Sequence, residues 1–319
     1  MRKIINKHIL LTFFSFFCLL SCTEEELLFE EKEVNTQIVN LNTFEGDYFK
    51  IKSDGNILIF KSVDDYAKVV TNPTDEMRNE FIGKVSNMNH ITYAKKNKNS
   101  KNKSLIKDDY FSQILNKDNA VQIGNYIYKV NKENETVFVL PTEFKDQYSD
   151  LINENLNNIN IQQYSTDDDV ISLVESGTSS LFERCKEDAA GARNQAKGFL
   201  TPGNRLFTMY ANYEKFGIYC SASLIVTSSA TFGQYNRIYI QMENIWHKAK
   251  CRGAVGPYSQ PWWSGGSQNG YSKGFQVYSG TRRLNGYHLK ARARYEEGTT
   301  SNYTTYFTNW SEIEANSPY

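Results

Sequence analysis

Two hydrophobic periods alternate along this chain from residue 48 onward. Phe49 and Ile51 alternate with Lys50 and Lys52, Ser53-Asp54-Gly55-Asn56 interrupts them, and Ile57-Leu58-Ile59-Phe60 follows as an apolar run. An Asp-Gly pair between two strand-like segments predicts a hairpin. Ser62, with Asp64 and Asp65 behind it, predicts a helix start, and Pro73 predicts its end. Met77, Phe81 and Val85 recur every four residues, which places them on one face of a second helix from Thr74 to about Val85. A short helix is expected around residues 108–115. The β-rich segments 121–130 and 137–140 then flank residues 131–136 and read as a second hairpin. A further helix is expected after Pro141, and residues 171–174 form a last short apolar element.

The pattern changes after a helix-compatible, Ala-rich stretch at residues 181–196, with Pro202-Gly203-Asn204 as the boundary. Ile218, Cys220, Ala222, Leu224 and Val226 fall on one face of a strand, with Tyr219, Ser221, Ser223 and Ile225 on the other. Ile238, Ile240 and Met242 alternate with Tyr239, Gln241 and Glu243, and Leu289, Ala291 and Ala293 alternate with Lys290, Arg292 and Arg294. Period-two strands separated by Gly- and Asn-rich turns predict antiparallel sheets. The expected fold is therefore α+β: a hairpin and helix domain over residues 44–200, then an antiparallel β-sandwich-like domain over 201–319.

The first residues follow a different logic. Arg2, Lys3 and Lys7 precede an apolar core that ends in Leu19-Leu20-Ser21-Cys22, and Thr23-Glu24-Glu25-Glu26 follows at once. This order resembles a bacterial lipoprotein signal peptide with its lipobox, and implies cleavage after residue 21 with lipid on Cys22. The apolar run is shorter than the roughly 20 residues needed to span a bilayer, and an ordinary secretory signal would not carry the large Leu19 at −3 from the cut. One acyl chain anchors a protein only marginally, so stable attachment takes more than one, which a multiply acylated cysteine supplies. Residues 22–43 read as an acidic tether, whose first residues also resemble the export tag of surface lipoproteins in Bacteroidota.

Within residues 44–175, Ser53-Asp54-Gly55 with Ile57-Leu58-Ile59-Phe60, Asp109-Tyr110-Phe111 with Ile114-Leu115-Asn116, and Val121-Gln122-Ile123-Gly124 with Tyr126-Ile127-Tyr128-Lys129-Val130 resemble a family of uncharacterised Bacteroidota surface lipoproteins. The resemblance implies location and architecture and brings no known activity.

Charge divides the chain although the total is zero: residues 1–198 carry an excess of six acidic groups and residues 199–319 an excess of six basic ones. That excess is too thinly spread for a nucleic-acid partner. The one dense basic segment, Lys95-Lys96-Asn97-Lys98 onward through residue 107, has almost nothing apolar to bury and reads as a solvated low-complexity loop. Cys18 leaves with the signal and Cys22 takes lipid, so Cys185, Cys220 and Cys251 remain. Cys220 and Cys251 lie in strand-like sequence of the same domain, which makes them the expected disulfide pair.

Candidate chemistry is sparse. His90, His247 and His288 lack metal-ligand spacing, and neither a nucleophile elbow nor a phosphate-cradling glycine loop is present, so no metal and no cofactor is expected. Asp167-Asp168-Asp169 reads first as a cap for the helix beginning near Val170, and second as a carboxylate cluster for acid–base work or calcium. Residues 256–271 read as a surface loop rich in Gly, Pro and Ser. Its Tyr258, Trp262, Trp263 and Tyr271 form a candidate platform for sugar rings, or else a plug that closes the end of the sandwich. The function expected from sequence is a lipid-anchored protein of the cell envelope, in the outer membrane and facing the surface, with a non-catalytic role in binding or assembly. The partners expected are the membrane, through the lipid, and a glycan or envelope protein. The alternatives are a glycan-binding module using the aromatic loop, and a hydrolase whose catalytic groups converge only in the fold.

Overall fold

The computed structural model describes residues 43–45, 50–54, 57–88, 91–94, 106, 108–176, 191–229, 235–263, 272–299 and 301–316. Cys22, the acidic tether up to residue 42, the basic stretch 95–105, Cys185 and Tyr271 lie outside the described residues, and Thr43, read as the end of the tether, is strand. The described chain is mostly strand with a few helices, arranged in three sheets.

The first sheet has seven strands in chain order: β1 (Thr43–Glu45), β2 (Lys50–Asp54), β3 (Ile57–Phe60), β4 (Ala120–Ile123), β5 (Tyr126–Asn131), β6 (Thr136–Pro141) and β7 (Gln162–Ser165). The Asp-Gly hairpin is present as β2–β3, with Asp54 opposite Ile57. The expected strand at 121–130 is two strands, because Gly124, at φ +56°, turns the chain between β4 and β5. β3 pairs with β4 in parallel, and the helical segment between them makes the crossover. In that segment α1 (Val63–Val70) is capped by Ser62, whose Oγ accepts from Asp65 N at 3.1 Å. α2 (Asp75–Asn87) is capped by Thr74 in the same way, and α3 (Phe111–Ile114) follows.

Both faces of this sheet are covered. Leu58, Phe60, Val121, Tyr128, Val137 and Val139 pack with the helices, including Val170 and Ile171 of α5 (Val170–Ser176). Ile57, Ala120, Ile127, Phe138 and Leu140 pack on the other side with Leu151 of α4 (Tyr148–Ile152) and Ile161. Double coverage explains why β5 and β6 read as continuous apolar runs rather than alternating ones.

The remaining strands form two antiparallel sheets. One has the order β13 (Ser272–Gly280), β10 (Cys220–Ser228), β9 (Leu206–Lys215), β8 (Asn194–Leu200). The other has the order β12 (Ala254–Trp263), β11 (Tyr235–Ala249), β14 (Leu284–Gly298), β15 (Tyr303–Phe307), with β16 (Ser311–Ala315) also paired to β14. Inward residues of the two sheets share one apolar cluster that includes Met209, Leu224, Ile240, Met242, Leu289 and Ala291. Asn194, Gln195 and Ala196 are strand, not helix: they open β8, which pairs with β9.

Residues Asn40–Tyr319 form one compact unit, and the tip of the β9–β10 hairpin shows why. Phe216, Ile218 and Tyr219 belong to the core of the first sheet and its helices, not to the apolar layer of their own sheets. Tyr219 stacks on Phe111 at 4.4 Å between ring centroids and donates to Asp108 Oδ2 at 2.8 Å, while Val170 N donates to the Gly217 carbonyl at 3.0 Å. Gly217 has φ +73°, and a Cβ there would stand 2.7 Å from a Val137 methyl and 2.8 Å from a Val170 methyl.

The expected Cys220–Cys251 bridge is absent. Cys220 is a free thiol buried in the apolar cluster that the two sheets share. Cys251 lies in the exposed β11–β12 turn at φ +60° and is disulfide-bonded to a partner outside the described residues. Inward side chains and turn side chains do not meet, and the sequence could not say that residue 251 ends its strand.

Gly217→Ala is expected to lower unfolding free energy by about 2 kcal/mol or more, from overpacking plus a strained positive φ. Urea unfolding measures this, and a loss below about 0.5 kcal/mol would contradict the tight fit. Burial pushes the Cys220 thiol pKa up to about 12, so the native protein is expected to resist alkylation at Cys220 near neutral pH. Non-reducing peptide mapping after alkylation in denaturant should recover Cys220 labelled and Cys251 in a linked peptide; a linked Cys220–Cys251 pair is the contrary outcome.

Candidate functional site

The outward residues of β11 and β14 meet in register. Tyr239 faces Arg294 and Gln241 faces Arg292. Their neighbours Ile240, Met242, Ala291 and Ala293 are buried on the other side. Alternation thus presents a row of three cations, Lys290, Arg292 and Arg294, along one sheet face. Each is held. Lys290 Nζ lies 2.7 Å from Glu243 Oε1, Arg292 Nε donates to Gln241 Oε1 at 2.7 Å, and Arg294 Nη2 lies 3.3 Å from Glu296 Oε1. The Arg294 guanidinium also sits 3.9 Å from the Tyr239 ring centroid, and Tyr239 donates its hydroxyl to the same Glu296.

Aromatic rings pave the spaces between these cations. Trp262 lies 5.3 Å from Arg292 and 5.0 Å from Arg294, measured from guanidinium carbon to ring centroid. Arg292 is also 5.0 Å from Trp310 and 5.7 Å from Phe307, and Lys290 is 5.3 Å from Trp310. Trp262 and Phe307 touch at 5.5 Å. Each cation–π contact contributes about 0.5–1 kcal/mol when exposed and more when dry. Arg292 bridges three rings, so it orders the whole patch.

Sequence reasoning placed Trp262 and Trp263 together in a loop; both are in β12, and they point apart. Ile240 pairs with Trp263 and Met242 with Gln260, so two steps on β11 oppose three on β12. The extra residue is a bulge, which shifts the alternation by one. Trp262 takes φ +35° and lies on the outer face. Trp263 packs against the apolar layer with Phe275 at 5.3 Å, and Lys273 covers its ring at 5.2 Å. Tyr258 packs on the same layer, and burial pushes its phenol pKa up to about 12. Trp262 is therefore on the outer face and Trp263 on the apolar layer. Tyr271 lies outside the described residues.

The patch also contains residues that sequence reasoning did not attach to it: Tyr239, Gln241, Arg292, Arg294, Phe307 and Trp310. The alternation of Lys290, Arg292 and Arg294 was readable, but nothing linear says that β12 and β14 flank β11.

The other candidate chemistry resolves into structure. Asp169 Oδ2 accepts from Lys250 at 2.9 Å and lies 3.4 Å from Arg283 Nε. Asp167 pairs with Arg193 at 2.9 Å and with Lys215 at 3.4 Å. Burial raises the Asp167 pKa, but Arg193 and Lys215 outweigh it and hold the carboxyl below its ordinary value. Asp168 Oδ2 accepts from Ser165 N at 3.0 Å, closing the turn before α5. His288 is buried between the Asn244 carbonyl and Glu312 Oε1, while His90 lies outside the described residues. Comparison with protein-family models, with curated proteins and with solved structures returns no match.

Trp263→Ala is expected to lose about 3–5 kcal/mol through burial and cavity costs. Trp262→Ala should lose no more than about 1–2 kcal/mol, the worth of its cation–π contacts. Paired urea melts measure the difference; equal losses would mean that Trp262 is structural too.

Proposed function

We propose that this chain is a lipid-anchored protein of the cell envelope whose β-rich half is a non-catalytic binding module. In this reading the two antiparallel sheets form a sandwich and the Trp262–Arg292 face is its recognition surface. What carries the reading is that face: Trp262, Phe307 and Trp310 lie together around Arg292, with Arg294 and Gln241 beside it. Flat rings match the C–H faces of sugars, and guanidinium and amide groups match their carboxylates and hydroxyls. A glycan with acidic groups at the cell surface is the ligand this chemistry fits best. The lipobox-like segment ending at Cys22 supports the anchorage, and the resemblance over residues 44–175 supports the surface lipoprotein assignment.

Two measurements test the proposal. Cys22→Ala is expected to abolish labelling by a fatty-acid analogue; undiminished label would refute the anchor. Arrayed acidic and neutral polysaccharides should show selective binding to the acidic set. Trp262→Ala is expected to weaken that binding about tenfold or more, as aromatic anchors do. Binding that is absent, or indifferent to Trp262, would refute the recognition face.

A further inference from the structure

A cleft of about 580 Å³ opens where the helices of the first half meet the β turns of the second, and it shares no lining residue with the Trp262 face. That volume lies in the range typical of small-molecule sites. One wall is α1, through Val63, Asp64 and Ala67, continued by Ile171 of α5. The opposite wall is made by two turns: β11–β12, carrying Lys250 and Arg252, and β13–β14, carrying Arg282. Cys251, beside Arg252, is disulfide-bonded, which restrains that lip.

The lining is apolar in its depth and unevenly charged. Ile171, Ala249 and the Tyr278 ring are buried lining groups, and the Tyr278 hydroxyl is committed to the Arg282 carbonyl. Lys250 and Asp169 neutralise each other at 2.9 Å. Among the described residues Arg252 has no ion-pair partner, and Arg282 makes one long bond, to the Lys250 carbonyl at 3.5 Å. Asp64 is the remaining acid in the lining, so cations prevail. A second, independent feature points the same way. His247 lines the cleft at 6% exposure, packs its ring 5.3 Å from that of Tyr278, and has an Nδ1 with no hydrogen-bond partner among the described residues. Buried polar atoms are almost always satisfied, so an orphan one on a residue that lines a cleft points to a polar partner there.

We propose that this cleft binds a small molecule with an apolar body and one anionic head, a carboxylate or a phosphate, held by Arg252 and Arg282, with His247 bonding a polar atom of the body. Guanidinium groups suit both anions through paired N–H donors. The apolar lining accounts for the body, and His247 accounts for a hydroxyl or carbonyl on it.

Calorimetric titration of the full chain tests this, with 4-phenylbutyrate and phenyl phosphate as anionic probes and 4-phenylbutanol as the uncharged one. Saturable binding of at least one anion is expected, and whichever of the two binds more tightly names the head group. The alcohol should bind more weakly. Arg252→Gln with Arg282→Gln removes two solvent-accessible side chains without touching the core, and should weaken the anion about tenfold or more while leaving the alcohol unchanged. Trp262→Ala should change none of these affinities. Equal affinity for acid and alcohol, no saturable binding of either anion, or binding lost in Trp262→Ala but kept in the arginine double variant would each overturn the proposal.

Discussion

The described structure is organised around one insertion, the burial of the β9–β10 hairpin tip in the core of the first sheet. Phe216, Ile218 and Tyr219 are fully buried there, yet the strands that carry them belong to the other half of the unit. Burying three large side chains is worth several kcal/mol, since each contributes about 1.5–3 kcal/mol. Because the tip is continuous with β9 and β10, the two halves cannot separate without exposing it. Asp167 and Asp169 then set the rotation. Their ion pairs reach Arg193, Lys215, Lys250 and Arg283, all in the β-rich half. The Asp169 pairs with Lys250 and Arg283 are largely buried, so they add little net stability because desolvation offsets attraction, but a displaced partner would leave a charge unpaired. Asp167 and Arg193 are part exposed, and their pair is weaker. The apolar tip supplies the affinity and the carboxylates fix the angle.

That fixed angle creates the cleft. Its walls come from α1 and α5 on one side and two β turns on the other, so its shape is defined only when the halves are locked together. The Trp262 face depends on a different constraint. Trp262 occupies a left-handed backbone conformation that costs a bulky residue roughly 1–3 kcal/mol, and two arginines and Phe307 contact its ring. Strain offset by stacking pre-orders a side chain that would otherwise lose rotamer freedom on binding a ligand.

What the sequence made legible was local. Ser62 caps its helix as read, the second helix begins next to Thr74, Asp54 closes its hairpin, and the inward sets Ile238-Ile240-Met242 and Leu289-Ala291-Ala293 are buried. What it hid was non-local. The Cys220 assignment failed because strand alternation says which residues face inward but not where a strand stops, and Cys251 is past the end of β11. Asn194, Gln195 and Ala196 closed the stretch read as helix-compatible because its composition is permissive, and pairing with β9 decided otherwise for them. The tryptophan pair looked like loop because Gly, Pro and Ser surround it. β12 tolerates Pro261 because it is an edge strand, where a missing N–H breaks no sheet.

β11 carries both surfaces. Tyr239 and Gln241 belong to the aromatic face and His247 to the cleft, six residues beyond Gln241 on the same strand. At about 3.3 Å per residue that is roughly 20 Å, further than the ~8 Å over which exposed charges act at physiological salt. The bulges between Ile240 and His247 also break the regular ladder along that stretch, so there is no uninterrupted row of side chains to pass a shift from one end to the other. Sites more than about 7–10 Å apart with no shared partner respond additively to substitution. Neither surface shares a partner with the other: Arg292 and Arg294 are engaged by rings and by Gln241 and Glu296, whereas Arg252 and Arg282 face the cleft. The two surfaces are therefore chemically independent, and a substitution on the face leaves the cleft unchanged.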